Sequence, residues 1–301
     1  MLKLIKIHAN ILIPFFLIIL LAGSWFYLHY NHAISVSSTA VQTSPSPGHK
    51  NSIYYKDKVV VLLYHNFSQH ECGTAISPAR FESHLDMLKQ EGFHIVSLND
   101  VVAFLNKKEK LPPNAVAISL DDGYQSNYQV AYPMLKKKNW PATIFVIVKN
   151  VSETKHPNKW LSWDQIAEMS RHKISIYSHS YQGHQFISGS FPRGTAWLVG
   201  KLPGEKENVY QQRIFDDLLK ARQVLQLQLG GQRDSFAIPF GMFNQTVIDM
   251  AKKSGYQYIW TTQRVPITAS SSPSALGRVS VGRGGTSPEQ LKDTILKVAA
   301  H

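Results

Sequence analysis

Apolar runs alternate with amphipathic segments from about Lys58 to the end of the chain. Short apolar or β-branched runs predict strands, and segments with apolar residues at helical spacing predict helices. The predicted strands are 59–64, 93–98, 115–120, 142–148, 174–178, 235–238, 257–261 and 276–281. The predicted helices begin near 78 and 162, pass through 132–135, and span 99–107, 205–229, 244–254 and 287–299. This alternation predicts an α/β domain with a parallel sheet, either a barrel or an open doubly wound sheet.

Residues 1–30 have a different pattern. Lys3 and Lys6 precede an apolar and aromatic run, 11–30, that is long enough to span a bilayer. Lysines on its amino side predict a cytoplasmic N-terminus, with the rest of the chain outside the cell. We therefore expect an uncleaved signal anchor at 1–30, a flexible tether at 31–57 and a folded domain at 58–301. A cleaved signal would instead give a secreted, wall-associated protein.

Charge and cysteine content narrow the possible partners. The 32 Lys and Arg residues exceed the 20 Asp and Glu residues, and the net charge is +12. Such a balance favours an anionic neighbourhood, such as a membrane surface or an acidic wall polymer. The basic residues are scattered, so we expect no nucleic-acid partner. Cys72 is the single cysteine, which excludes an internal disulfide and a multi-cysteine zinc site.

Two adjacent carboxylates, Asp121 and Asp122, end the predicted strand 115–120 and are followed by Gly123. In α/β folds the carboxyl ends of the strands carry the chemistry. Adjacent like charges disfavour ionisation of both groups unless a cation or a proton separates their roles. The pair therefore indicates one metal ligand and one base. The alternative is a helix N-cap, a position that Asp often occupies.

Two histidines follow the predicted strand 174–178. His179 and His184 are five residues apart, so they cannot share one helix face, and Gly183 permits a turn between them. With one carboxylate from another strand they would give the three protein ligands of a catalytic zinc site. The chain has 13 histidines, so two near one strand end could be coincidence. Their combination with the Asp pair is what favours a metal site.

These residues resemble a known family. Ser-Leu-Asp-Asp-Gly at 119–123 and His-Ser-x-x-x-His at 179–184 resemble the first two motifs of the polysaccharide deacetylases, and the resemblance covers roughly 58–299. It implies a distorted (β/α) barrel that holds one divalent metal, usually zinc, with cobalt, nickel or manganese as alternatives. It assigns Asp122, His179 and His184 as metal ligands and Asp121 as catalytic base.

A third motif of the family, Arg-x-Pro-aromatic-Gly, corresponds to 237–241. The resemblance implies that the backbone N–H of Phe240 helps to form an oxyanion hole. Ala237 replaces the arginine that usually orients the base, so another residue must orient it or it is not oriented. The resemblance also places Trp260 at the acetyl pocket. The expected substrate contacts are Tyr124, Tyr181, Pro239 and Trp260. Further candidates for stacking on sugar rings are Trp163, Trp197 and Phe240. For the stacking aromatics, the alternative is packing in the core.

Three departures from the common family pattern indicate a branch. The histidine spacing is five rather than four, a late Leu-x-His motif is absent at 276–281, and His65 follows the first strand. Together they resemble the exported deacetylases of poly-β-1,6-N-acetylglucosamine, a biofilm polymer, and imply that His65 is the general acid. The alternative for His65 is a rim residue that only forms hydrogen bonds.

The expected function is metal-dependent N-deacetylation of that extracellular polymer by a membrane-anchored enzyme. A polymer synthase or export complex in the same membrane would be a further partner. One alternative is a deacetylase of β-1,4-linked peptidoglycan or chitin. Another, of a different class, is a membrane-tethered carbohydrate-binding protein with an inactive site.

Overall fold

The computed structural model describes residues 52–153, 159–188 and 194–301. The predicted anchor at 1–30 and most of the predicted tether, 31–51, lie outside these ranges, so both stay predictions. Among the described residues, no helix has the length and apolar character needed to cross a membrane.

Strands and helices alternate along the described chain, as the sequence pattern predicts. The strands are β1 Lys58–Tyr64, β2 Asn66–Phe67, β3 Ala75–Ile76, β4 His94–Val96, β5 Ala115–Asp122, β6 Ala142–Val146, β7 Ile174–Ser178, β8 Ser235–Ala237, β9 Tyr258–Trp260, β10 Ile267–Thr268 and β11 Val279–Ser280. The helices are α1 Pro78–Gln90, α2 Leu98–Leu105, α3 Tyr132–Lys138, α4 Trp163–Ser170, α5 Glu207–Leu229, α6 Gln245–Lys253 and α7 Pro288–Ala299. A π-helical turn, Asn127–Ala131, precedes α3, and a short turn, Pro239–Gly241, follows β8.

The main sheet has the strand order β10-β1-β5-β6-β7-β8-β9, and its central pairings are all parallel. Only β10 runs antiparallel, beside the start of β1. One edge of β5 is shared, because β4 pairs with its first half and β6 with its second half. Parallel strands carry their carboxyl ends to one edge of the sheet, so residues that follow β1, β5, β7 and β8 meet there.

The sheet curls so that its two ends approach each other. Leu276 forms a parallel bridge with Trp260 at the end of β9, and β11, a few residues later, pairs with β1. The segment 276–280 therefore connects β9 to the opposite side of the sheet. The sequence predicted one strand over 276–281, whereas the structure has a bridge and a strand of two residues.

Alternate residues of the strands pack into two apolar clusters. Val60, Leu62 and Tyr64 of β1 join a cluster shared with α1, α3, α4, α5 and α7, which we call the helix-side cluster. Val59 and Val61 join a second cluster with α2, Phe145 and Trp260, which we call the inner cluster. Because side chains along a strand alternate between faces, one apolar strand fills both clusters. All eight residues of β5 are buried.

Local capping chemistry sets several helix starts. Ser77 caps α1, with Pro78 at its first position, and Ser162 begins α4 with the predicted capping box. The predicted strand 93–98 is three residues too long, because β4 covers His94–Val96 and leaves out position 93 at the start and 97–98 at the end. Ser97 accepts a hydrogen bond from the Asp100 N–H, and the Asp100 carboxylate accepts one from Ser97, so α2 begins at Leu98. The sequence did not predict the two-residue strands β2, β3 and β10.

Candidate active site

Four predicted residues meet at the carboxyl ends of β5 and β7. His184 Nε2 lies 3.2 Å from Asp122 Oδ1, and His179 Nε2 lies 3.5 Å from the same oxygen. His179 Nε2 is also 3.7 Å from Asp121 Oδ2. One possible ligand atom from each of Asp122, His179 and His184 lies within 4.8 Å of the others. The structure therefore brings together the three residues that the sequence predicted as metal ligands.

An unusual backbone angle at Asp122 makes this grouping possible. Regular alternation along β5 would direct Asp121 and Asp122 to opposite faces of the sheet. Asp122 has φ 75°, in the left-handed region that Asp tolerates better than most residues. Both carboxylates consequently lie within 3.7 Å of the same His179 nitrogen. Both Asp residues belong to the strand, so the alternative interpretation as a helix N-cap is wrong.

The donor atoms fit a divalent cation. His179 Nδ1 donates to the Ala237 carbonyl at 2.8 Å, which leaves Nε2 with its lone pair toward Asp122. Burial lowers the pKa of His179 to about 3 and also lowers the pKa of His184, so both imidazoles are neutral. Asp122 Oδ1 is buried and accepts no hydrogen bond from the described residues. A buried oxygen facing two imidazole nitrogens without a hydrogen bond is the arrangement that a cation would satisfy.

Asp121 forms a buried, two-pronged ion pair with Arg278. The guanidinium Nη1 and Nη2 atoms donate to Asp121 Oδ1 and Oδ2 at 2.6 and 2.8 Å, and both side chains are almost fully buried. Burial acts to raise the pKa of Asp121, but the charge of Arg278 opposes burial and lowers the pKa to about 2. Burial raises the pKa of Asp122 to about 6, and the adjacent Asp121 charge adds to that rise. The two carboxylates are thus shifted in opposite directions.

Arg278, and not a residue at position 237 of the third motif, provides the positive charge beside Asp121. Ala237 has no charged side chain. Sequence reasoning noted position 278 only because the late Leu-x-His motif has no histidine there. Arg278 Nε donates to the Thr261 carbonyl at 3.2 Å, and its guanidinium lies 5.0 Å from the Phe145 ring centre. Gly277 allows its segment to pack closely against the backbone at Val265, since a Cβ at position 277 would lie only 2.6 Å from the Val265 carbonyl oxygen. An arginine that follows a glycine directly before the short strand β11 is the only local sign of this role.

His65 lies at the same rim, directly after β1. Its backbone carbonyl accepts a hydrogen bond of 2.7 Å from Asn127 Nδ2, in the π-helical turn. Its Nδ1 atom is buried and has no hydrogen-bond partner among the described residues. Its charge contributes to the pKa of both Asp121 and Asp122. His65 thus lies within electrostatic range of both carboxylates.

The loop between the two histidines is held by Asp217 of α5. Its two carboxylate oxygens accept the backbone N–H groups of Tyr181 and Gln182 at 3.0 and 2.9 Å. Burial raises the pKa of Asp217 to about 6, against the effect of these two hydrogen bonds. Lys220 of the same helix lies 4.0 Å from the Tyr181 ring centre. The sequence predicted Tyr181 as a substrate contact, and the structure shows its contacts with α5.

The remaining predicted contacts occupy different environments. Burial, followed by the nearby charge of Asp122, raises the pKa of Tyr124 to about 12. The Phe240 ring lies 4.2 Å from the His184 ring, and Pro239 is buried in the turn before it. Trp260 is fully buried against Phe145 in the inner cluster, and its ring N–H has no hydrogen-bond partner among the described residues.

Two further stacking candidates pack against apolar clusters. Trp163, at the start of α4, packs against the helix-side cluster. Trp197 lies under Arg213, whose Cζ is 4.1 Å from its ring centre, and packs against a third cluster between α5 and α6. For these two residues, core packing is the interpretation that the structure supports.

The fold and the site together define a class of protein. A curled α/β half-barrel with an Asp-His-His group and a second, ion-paired Asp at its strand ends is the deacetylase type of fold. Residues 108–259 match the polysaccharide deacetylase family. The chain belongs to this family, and it is a hydrolase that acts on amide C–N bonds.

Individual relatives agree with this assignment. The chain is 29% identical over 227 residues to YxkH of Bacillus subtilis (strain 168), a protein provisionally named as a polysaccharide deacetylase, covering 75% of this chain and 72% of that one. It is 26% identical over 209 residues to a poly-beta-1,6-N-acetyl-D-glucosamine N-deacetylase of Staphylococcus aureus (strain MRSA252), covering 69% and 68%. The solved structure of a de-N-acetylase from Aggregatibacter actinomycetemcomitans has a TM-score of 0.71 and 26% identity, covering 79% of this chain and 100% of that one.

Replacement of Arg278 by Ala should destabilise the protein by about 3–5 kcal/mol, because it leaves Asp121 buried without a partner. The pKa of Asp121 lies below its unfolded value, so its stabilising effect is present above about pH 4 and is lost as the pH falls toward 2. In Arg278→Ala burial should instead raise the pKa of Asp121 above its unfolded value, so the destabilisation should shrink as the pH falls and the carboxyl takes up a proton. Urea unfolding of the metal-free protein across this pH range measures both effects.

Arg278→Lys keeps the charge but loses the paired hydrogen bonds, so it should fall between Arg278→Ala and the wild type. Arg264→Ala, at an exposed arginine in the same part of the chain, is the matched control. Equal unfolding free energies for Arg278→Ala and Arg264→Ala would contradict the importance of the ion pair.

Asp217→Ala should weaken zinc binding about 10- to 100-fold, because loss of the two backbone hydrogen bonds frees the loop between His179 and His184. The measurement is zinc affinity by chelator competition, together with the visible spectrum of the cobalt-loaded protein. Asp216→Ala, at the exposed neighbour on α5, should leave both unchanged. A wild-type affinity and cobalt spectrum for Asp217→Ala would show that the helix contact does not position the ligands.

Proposed function

We propose that the chain removes N-acetyl groups from poly-β-1,6-N-acetylglucosamine with the help of one divalent metal. The observation that carries the proposal is the Asp122, His179 and His184 group beside the ion-paired Asp121. The similarity to an enzyme named for this polymer supports the choice of substrate. The absence of the late histidine and the presence of His65 at the rim support the same branch.

Asp122, His179 and His184 would hold the metal, with zinc the first candidate and cobalt, nickel or manganese as alternatives. A divalent cation at such a site polarises a carbonyl and lowers the pKa of water. The neutral state of both imidazoles suits this role, because a ligand nitrogen must carry a free lone pair. Ala237 fixes the ring of His179 through its carbonyl oxygen.

Asp121 acts as the general base in this proposal. The ion pair with Arg278 keeps its carboxylate ionised at neutral pH and fixes its orientation. It accepts the proton of the attacking water, and the Asp121–Arg278 pair remains buried throughout. The backbone N–H of Phe240, at the turn after β8, donates a hydrogen bond to the oxyanion that forms from the acetyl carbonyl.

His65 acts as the general acid. The leaving group is the sugar amine, which departs poorly as an anion, so it needs a proton as the C–N bond breaks. The position of His65 directly after β1, with its backbone fixed by Asn127, supports this role. Tyr124, two residues after Asp122, and Phe240, against His184, are the proposed contacts for the sugar that carries the acetyl group.

We further propose that residues 1–30 anchor the protein in the cell membrane, with the catalytic domain on the extracellular face. The apolar run and its flanking lysines support this location. A secreted, wall-associated form would follow if the segment were cleaved. The substrate polymer would then be met as it leaves the cell, near a synthase or export complex.

The proposal is tested with the full-length, zinc-loaded protein in detergent. Acetate release is measured from β-1,6-linked N-acetylglucosamine oligomers and, in parallel, from β-1,4-linked oligomers. Preference for the β-1,6 series is the expected result. Preference for the β-1,4 series would instead assign the enzyme to peptidoglycan or chitin, and zinc-loaded protein that acts on neither would overturn the proposed substrate class.

His65→Ala should lower turnover on the preferred oligomer about 10²- to 10⁴-fold while zinc content stays unchanged. Asp122→Ala should lose both zinc and turnover, because it removes a ligand. Parallel measurement of zinc content and acetate release separates the two roles. His70→Ala, at a histidine in the loop after β2, is the control for His65. Unchanged turnover of His65→Ala would remove it from the reaction.

A further inference from the structure

Two stacked pairs of aromatic rings lie beside the proposed metal ligands. In the first pair, Phe240 contacts His184, and Phe186 stacks on Phe240 with ring centres 4.2 Å apart and planes 25° apart. In the second pair, Tyr124 follows Asp122 by two residues, just after β5, and Trp160 stacks on Tyr124 with ring centres 5.0 Å apart and planes 19° apart. We call Phe240 and Tyr124 the inner rings, and Phe186 and Trp160 the outer rings.

Core packing does not account for these four rings. None of them belongs to the three buried apolar clusters of the described residues, whereas Trp163, Trp197 and Trp260 do. Phe186 is 44% exposed, an unusual state for a large apolar side chain. Exposed apolar surface beside polar groups is typical of a ligand-binding groove.

The backbone holds both outer rings in place. Phe186 forms an antiparallel bridge with Ala196, and Gly194 leaves room for its ring, since a Cβ there would lie 2.9 Å from the Phe186 Cβ. Trp160 forms a bridge with Tyr124. The ammonium group of Lys159 lies 4.8 Å from the Trp160 ring centre. Lys159 is exposed and carries donors that could bind sugar hydroxyls.

The two pairs approach the proposed metal ligands from different strands. Tyr124 follows β5 and Phe240 follows β8, which are separated by three strand-to-strand steps in the sheet. Each outer ring stacks on an inner ring, and it is Phe240 of the first pair that contacts a ligand ring. A ligand that reaches both outer rings therefore spans both pairs and is longer than a single sugar.

We infer that Phe186 and Trp160 are binding platforms for the sugars that flank the reacting residue, one on each side of the site. This inference rests on the proposed function and extends it from one sugar to a segment of polymer. The flat apolar faces of pyranose rings pack against aromatic rings, while the sugar hydroxyls stay in water or meet Lys159. Neither outer ring touches the reacting atoms, so both act on binding of long substrates.

The test compares Phe186→Ala and Trp160→Ala with the wild type in the full-length, zinc-loaded protein. The substrates are a β-1,6-linked N-acetylglucosamine hexamer and a small aryl acetate that cannot reach the outer rings. Each variant should raise KM for the hexamer roughly 3- to 10-fold, with kcat within about twofold and aryl acetate turnover unchanged. Phe186→Leu, which keeps an apolar side chain without a ring, should resemble Phe186→Ala.

Trp140→Ala is the matched control, because Trp140 precedes β6 at the opposite end of the sheet and also carries a lysine over its ring, Lys138 at 5.5 Å. It should leave KM for the hexamer unchanged. An unchanged KM in both outer-ring variants, or equal losses on the hexamer and the aryl acetate, would overturn the inference. A wild-type enzyme that cleaves the aryl acetate but no glycan would overturn the proposed function instead.

Discussion

The buried ion pair between Asp121 and Arg278 is the interaction on which the site depends. A carboxylate next to a second carboxylate, both almost fully buried, would not stay ionised without a positive charge held against it. The two guanidinium contacts of 2.6 and 2.8 Å provide that charge. They leave Asp122 as the carboxylate without a permanent partner, and therefore as the one able to take a cation. One arginine thus divides two neighbouring acids into different roles.

Backbone strain and fold geometry complete that division. The left-handed angle at Asp122 breaks the alternation of β5 and turns its side chain toward the imidazoles. A left-handed backbone angle costs of order 1–3 kcal/mol in a non-glycine residue. The residue can keep this angle when neighbouring strands pair with both edges of its own strand. β5 has β1 on one edge and β4 and β6 on the other. The strained residue is therefore placed at the end of the best-supported strand in the sheet.

Much of the fold could be predicted because short stretches of neighbouring residues specify its helices and strands. The apolar run of β5, the capping residues Ser77 and Ser162, and the glycine pair after α5 each specify an element from neighbouring residues alone. The Asp pair and the two histidines were predicted for the same reason, since the Asp pair ends β5 and the histidines lie in the segment after β7. The ends of β4 and β11 were less predictable, because a capping box and a bridge to β9 decide them.

Contacts between distant parts of the chain could not be predicted. Arg278 is 157 residues from Asp121 in sequence, and Asp217 approaches the loop after β7 from a helix. The outer rings Phe186 and Trp160 lie in loops whose local sequence does not differ from that of a surface turn. Each of these roles depends on which segments the curled sheet brings to one rim, and no spacing rule in the sequence encodes that.

The curl of the sheet also explains how the arginine can stand at position 278 instead of position 237. The third motif places an arginine at position 237, at the end of β8, whereas this chain has Ala237 there and an arginine at 278, before β11. Both segments reach the rim at the end of β5, because the Ala237 carbonyl contacts His179 and the segment 276–280, which joins β9 to β1, brings Arg278 to Asp121. Ala237 has no charged side chain, but its backbone carbonyl accepts the hydrogen bond from His179. The charge beside Asp121 therefore comes from the segment before β11, while the end of β8 contributes only a backbone contact to the site.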